Sequence, residues 1–336
     1  MLKYLASSLT GSIPSPGYFD SYSTEAIEPI IWMIVFCLIN VVIVSWGVSK
    51  GIERVSTIVL PLLLIMLLGI MVYVLTLPNA IEGVSFIFLP NFSDINSIGD
   101  FAKICVSALG QVFFSLSLGM GTLITYGSYL DKNDNLGKST VTIVAIDTII
   151  AIISSLTVMP AVFSFGLSPD AGTGLVFSTL PAVFANLKGG KIISAVFFLL
   201  VLFAAVTSSI SLLEVIAAFL SERFSLSRKV SVILPTVLIA AVGTLASLSC
   251  GILSDVKIMG MTFFDFFVFL SDQVVMPLGG FFLCILAGYI WDKALLKREL
   301  TSNGKYKFRL WGTFRVILRY IAPVLILVIF ISLLTS

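Results

Sequence analysis

The chain has 336 residues, 58% of them hydrophobic and 11% charged, with a mean hydropathy of +1.10. That is more apolar surface than a soluble domain can bury, so lipid is the main solvent and a soluble domain has no room. The net charge of +2 is divided among several loops without a continuous basic stripe, which excludes nucleic acid as a partner, and four single cysteines with no histidine exclude a zinc set.

Residues 1–26 come before the first complete span. Met1–Thr10 lacks an apolar run long enough for a cleavable signal peptide, and Gly11–Gly17, with two prolines and two serines, reads as an outer loop. A helix needs about 20 apolar residues to cross the hydrocarbon core. That rule predicts eight spans, at Ile27–Val48, Ser56–Leu77, Phe101–Leu130, Ser139–Phe165, Lys191–Glu222, Val230–Cys250, Met261–Trp291 and Trp311–Leu334. An even number of spans puts both ends on one side. Fifteen basic residues then fall on the opposite face against five, which predicts a multi-pass inner (plasma) membrane protein with both ends extracytoplasmic. The outer segment Gly166–Gly190, with its apolar stretch Leu175–Leu187, suggests short helices lying over the bundle as a cap.

The third run holds Gly110, Gly119, Gly121, Ser115 and Ser117 within twelve residues. Either the helix is broken there, with freed carbonyls and half-helix ends for an ion and a charged substrate group, or the small residues form a close-packing face. Asp147 stands eight residues inside the fourth run among isoleucines and valines. A carboxylate at that depth costs at least about 2.5 kcal/mol, so it faces the bundle and holds sodium or a proton, unless it is a neutral, hydrogen-bonded acid. The fifth run gathers Thr207, Ser208, Ser209 and Ser211 after Ala204. Their oxygens suit a small hard cation, and they suit bonding back to their own helix equally well. Glu214, a turn later, is a second buried carboxylate or an interfacial one paired with a basic loop residue. Gly51 and Pro61 mark either a helix start that can unwind or a loop followed by a tolerated kink. Asp265 and Asp272 lie in the seventh run ahead of Pro277-Leu278-Gly279-Gly280, where either could gate an outer vestibule.

Together GQVFFSLSLGMGTLITYGSYL, the aspartate of VTIVAIDT, GTGLVFSTLPAVF, FAAVTSSISLLEV and KGIER with its following proline resemble the sodium:neurotransmitter symporter family, above all its bacterial eleven-helix branch. The resemblance implies one all-α, LeuT-like inverted-repeat transporter domain over 1–336. It matches 27–77 to the family's helices 4 and 5, 101–291 to helices 6–10 and 311–334 to helix 11. Residues 1–26 match only the end of helix 3 and an outer loop, so helices 1, 2 and most of 3 are expected to be lacking. By the same likeness Phe114, Ser117, Met120, Ser208 and Leu212 line the substrate pocket. Ser115 and Asp147 belong to a first sodium site, and Ala204, Thr207 and Ser208 to a second. Asp265 is the acidic half of an outer gate, and Gly51 with Pro61 opens the cytoplasmic pathway.

The function this implies is sodium-coupled symport of an amino acid or similar small zwitterion by alternating access, with Na+ as coupling ion and no organic cofactor. Many relatives have asparagine where this chain has Asp147, which implies transport without chloride. Half of every ligand set lies on the helices expected to be lacking. The alternatives are therefore a non-transporting fragment, or a partner that pairs with a separate N-terminal half. No histidine, metal set or nucleophile-base pair supports an enzyme.

Overall fold

A computed structural model describes residues 1–10, 17–92, 95, 97–166, 175–185 and 189–335. All of the expected outer loop but Gly17, and 167–174 and 186–188 of the expected cap, lie outside the described residues. In chain order the helices are α1 (Leu2–Leu9), α2 (Tyr18–Thr24), α3 (Glu28–Ser45), α4 (Arg54–Leu75), α5 (Ala80–Phe88), α6 (Ile98–Ser115), α7 (Thr122–Ser128), α8 (Leu136–Ser164), α9 (Leu180–Ala185), α10 (Gly190–Phe224), α11 (Arg228–Leu248), α12 (Phe263–Val268), α13 (Met276–Ile285), α14 (Lys293–Leu300), α15 (Trp311–Val316) and α16 (Ala322–Thr335). Five π-helical turns join or extend them, at Val48–Glu53, Leu175–Thr179, Phe269–Val275, Leu286–Ile290 and Ile317–Ile321. Among the described residues the only β-pairing is an isolated bridge between Ile258 and Met261.

Among the described residues seven helical stretches are long and apolar enough to cross a membrane: Glu28–Ser45, Val48–Leu75, Leu136–Ser164, Gly190–Phe224, Arg228–Leu248, Phe263–Ile290 and Trp311–Leu334. They match seven of the eight expected runs within a few residues, except that Val48–Leu75 begins well before the expected Ser56. The remaining run, Phe101–Leu130, is not a single helix but the pair α6 and α7 with an irregular stretch between them. Of the two forms open to the stretch around Gly51 it is helical and not a loop, since the π-turn Val48–Glu53 leads straight into α4.

The chain packs as two compact units. The first comprises Met1–Pro90 and Ile150–Phe264. Its axis is α10, with Phe198, Ile210 and Ala217 fully buried among α1, α3, α4 and α11. Apolar side chains gain little from leaving lipid for another helix, so close approach and polar contacts decide which helices meet. Gly83 of α5 lies against the backbone of α8, where an added Cβ would stand 2.5 Å from the Pro160 Cα. A Cβ on Gly243 of α11 would meet the Met33 Sδ of α3 at 2.7 Å. The Ser8 and Ser194 hydroxyls, both buried, share a 2.8 Å hydrogen bond between α1 and α10. Leu180 and Phe184 of α9 pack into the same core as Tyr4, Phe197 and Phe198, so the described part of the outer segment is helical, as expected of a cap.

The second unit comprises Asn91–Ile149 and Asp265–Ser336. Phe113 of α6, Met276 of α13 and Ile326 of α16 form its core. Gly280 makes room for the first, because a Cβ there would stand 2.2 Å from the Phe113 ring. The segment following α14 is tied down by Ser302, whose hydroxyl donates to the Asp134 carbonyl (2.5 Å), and by Tyr306, whose hydroxyl donates to that of Asn133 (3.3 Å).

Candidate functional site

The irregular stretch Leu116–Gly121 follows from three residues that cannot continue a right-handed helix as they stand: Ser117 at φ 52°, Gly119 at 82° and Gly121 at 81°. α6 closes in a Schellman motif. The Leu118 amide donates to the Phe113 carbonyl (3.0 Å) and the Ser117 amide to that of Phe114 (2.9 Å), with Leu118 packed on the core that holds Phe113. Serine thus occupies the left-handed position where glycine is usual. The chain then runs flush against α13. A Cβ on Gly119 would stand 2.2 Å from the Met276 carbonyl oxygen, and one on Gly279 would stand 2.5 Å from that of Gly119. Among the described residues the carbonyls of Ser117, Leu118 and Met120 accept no hydrogen bond. Such groups are tolerated at membrane depth only where a polar partner or cavity serves them. The helix is thus broken at the glycines, and close packing of Gly119 on Gly279 is part of how the break is held.

At the edge of this stretch the Ser115 hydroxyl donates to the Asp147 carboxylate at 2.7 Å, joining α6 to α8 within one unit. Asp147 is half-buried and therefore keeps a polar partner, as its depth in the run requires. A carboxylate oxygen, a hydroxyl and nearby uncommitted carbonyls form a hard, oxygen-only donor set suited to an alkali or alkaline-earth cation. Among the described residues no three of His, Cys, Asp or Glu come together. Phe114, half-exposed, stands beside Ser115, and Ser117 and Met120 lie in the irregular stretch.

In the first unit the Thr207 hydroxyl bonds back to the Phe203 and Ala204 carbonyls, at 3.0 Å each, and the Ser211 hydroxyl to that of Thr207 at 2.9 Å. Ser209 does likewise to Val206 but also donates to the Asn40 side chain of α3 at 2.6 Å. Back-bonding therefore accounts for Thr207 and Ser211 here. Ser208 is exposed, and its hydroxyl makes no hydrogen bond to a described residue. With Ala205, Ser209 and Leu212 it lines an open cavity of about 510 Å³, bounded across from it by Lys3, Trp32 and Phe36.

Glu214 is fully buried, and it is paired with a basic residue that begins a helix and does not lie in a loop. Arg228, at the start of α11, donates from both terminal nitrogens to its two oxygens, and from Nε (3.1 Å) and Nη2 (2.8 Å) to the Val44 carbonyl near the end of α3. Gly51 is buried within a π-turn, and a Cβ there would stand 2.0 Å from the Ile43 carbonyl oxygen. Its lack of a side chain serves close packing, and Pro61 sits inside α4. Asp265 is exposed in the first turn of α12, while Asp272 lies in the following π-turn and accepts from Ser271 at 2.5 Å. Asn40, Arg228, Gly279 and Gly280 complete these arrangements and were not readable as such. The lone asparagine amid the apolar run of α3, the Gly279-Gly280 pair and the need of Glu214 for a basic partner were the available signals.

A bundle with a helix broken beside a half-buried carboxylate is the architecture of a secondary membrane transporter. The chain belongs to the sodium:neurotransmitter symporter family, whose model matches residues 21–336. It is 34% identical over 339 residues to the uncharacterized sodium-dependent transporter YhdH of Bacillus subtilis, covering 99% of this chain and 74% of that one. An uncharacterized sodium-dependent transporter of Haemophilus influenzae is also 34% identical, over 345 residues, with 99% and 73% covered. The crystal structure of MhsT in complex with L-phenylalanine superposes with a TM-score of 0.87 at 38% identity, over 99% of this chain and 75% of that one. The LeuT-like fold, multi-pass membrane placement and sodium-coupled transport, as opposed to enzymatic chemistry, follow from these likenesses.

Proposed function

We infer that the chain carries part of the machinery for sodium-coupled symport of an amino acid or similar small zwitterion, without a chloride requirement. The observation that carries this reading is the Ser115–Asp147 hydrogen bond beside the unwound Leu116–Gly121. In it, Ser115 and Asp147 contribute to one sodium site. The hydroxyl turns its hydrogen aside as the cation arrives, and both oxygens then face the ion. Ala204, Thr207 and Ser208 contribute to a second site, for which Thr207 exchanges its back-bonds for the cation. Phe114, Ser117, Met120, Ser208 and Leu212 border the substrate, with apolar side chains for an apolar body. Support for an amino-acid substrate comes from the MhsT complex with L-phenylalanine. Asp265 serves an outer gate, Gly51 and Pro61 a cytoplasmic pathway, and the basic-rich face is cytoplasmic.

The test is uptake of labelled L-phenylalanine and other zwitterionic amino acids into proteoliposomes under an inward sodium gradient, with potassium replacing sodium as control. Sodium-dependent accumulation supports the reading. Accumulation that ignores the sodium gradient in both this chain and its longer relatives overturns it.

A further inference from the structure

The basic residues, though spread over several loops, are not spread evenly: eight of the 20 lie in residues 292–319, against two acidic ones, Asp292 and Glu299. This stretch links the last two spans, Phe263–Ile290 and Trp311–Leu334, and so stands at the headgroup level at both ends. Lys305, Lys307 and Arg309 are exposed. Among the described residues the only ion pair of the stretch is an exposed 4.0 Å contact between Arg298 and Glu299. Inside the last span the charge becomes a built feature. Arg319 stacks on the Tyr289 ring at 4.6 Å and lies 5.9 Å from that of Tyr320. The Tyr289 hydroxyl donates to the Arg319 carbonyl at 2.7 Å, and Gly288 lets the arginine stem pass, since a Cβ there would stand 3.2 Å from its Cγ. Its Nε is buried and has no partner among the described residues. Arg315 lies four residues earlier, about one helical turn away.

We propose that Arg315 and Arg319, fed by the basic segment before them, bind the phosphate of an anionic phospholipid. A guanidinium with donors to spare, held on an aromatic ring, matches a phosphodiester. Its position inside a span, beside the exposed Tyr289, Tyr320 and Trp291, selects an anion that arrives with acyl chains. This goes beyond transport and does not depend on the ion-site assignments.

The full chain, with Trp32 and Trp46 replaced by phenylalanine so that Trp291 and Trp311 report, is placed in bilayers of phosphatidylcholine mixed with brominated phosphatidylglycerol or brominated phosphatidylcholine. Quenching is expected to give brominated phosphatidylglycerol a relative binding constant about five-fold or more above parity, the scale of one well-placed basic residue. Arg315→Gln with Arg319→Gln should return it to parity, whereas Arg315→Lys with Arg319→Lys should keep part of the preference and so control for misfolding. Glycerol 3-phosphate in the buffer should not reverse the quenching. Parity in the starting chain, a preference that survives both glutamines, or reversal by glycerol 3-phosphate each overturns the proposal. If the phenylalanine replacements prevent reconstitution, the same comparison with all four tryptophans present decides between these outcomes.

Discussion

The Asp147 carboxylate and Ser115 hydroxyl lie 2.7 Å apart on helices 32 residues distant in sequence. A unit charge pair 4 Å apart is worth about 4 kcal/mol at an effective dielectric near 20, and a tenfold change in affinity needs only about 1.4 kcal/mol. Asp147→Asn is therefore expected to raise the half-saturating sodium concentration at least about ten-fold. Ser115→Ala, which removes a neutral ligand, should raise it less. Sodium titration of substrate uptake or binding reads both. An Asp147→Asn protein with unchanged sodium dependence removes this carboxylate from the ion site. The carboxylate was legible in the sequence because any charge at that depth demands an explanation. Its hydroxyl partner entered only through the family likeness, because nothing in residue order brings position 115 to 147. Thr207 is the converse case: its hydroxyl was noticed, but whether it faces an ion or its own helix depends on a rotamer that no sequence pattern fixes.

At the scale of helices, two devices hold the break and the bundle. The flush packing of Leu116–Gly121 on α13 needs glycine on both sides. Gly119→Ala meets a positive φ as well as the Met276 carbonyl, and Gly279→Ala meets the Gly119 carbonyl, so each should lower the thermal unfolding temperature in detergent. Gly69→Ala within α4, where nothing lies within 4 Å of the added carbon, should leave it unchanged or raise it slightly, by the helix propensity of about 1 kcal/mol. If all three behave alike, the close approach does not hold the break. The second device is Arg228, which joins α11 to α10 through the buried Glu214 and to α3 through the Val44 carbonyl. Arg228→Met strands a fully buried carboxylate, and breaking such a pair costs about 3–5 kcal/mol. Glu214→Gln combined with Arg228→Met removes the stranded charge and should recover much of that loss, again read as thermal unfolding. Helix positions and the break could be read from apolar runs and glycine clusters. Of these braces only a basic partner for Glu214 could be foreseen, because which residue supplies it and which backbones touch depend on which helices become neighbours.

For the molecule as a whole, the decisive quantity is the charge that must move with the substrate. A zwitterion brings no net charge, so each sodium ion adds a positive charge that must be stabilised within a low-dielectric bundle while the site passes from one face to the other. A carboxylate fixed at Asp147 of α8 supplies one negative charge within the protein, beside the Ser115 hydroxyl of α6. An anion taken from solution has then no charge left to balance at that site. Uptake driven by a sodium gradient should accordingly proceed at the same rate when gluconate replaces chloride on both sides of the membrane. Asp147→Asn, if it retains transport at high sodium, should become faster in chloride than in gluconate. A parent protein that stalls in gluconate would show that the carboxylate leaves the sodium charge uncompensated, and the balancing anion would then have to bind elsewhere.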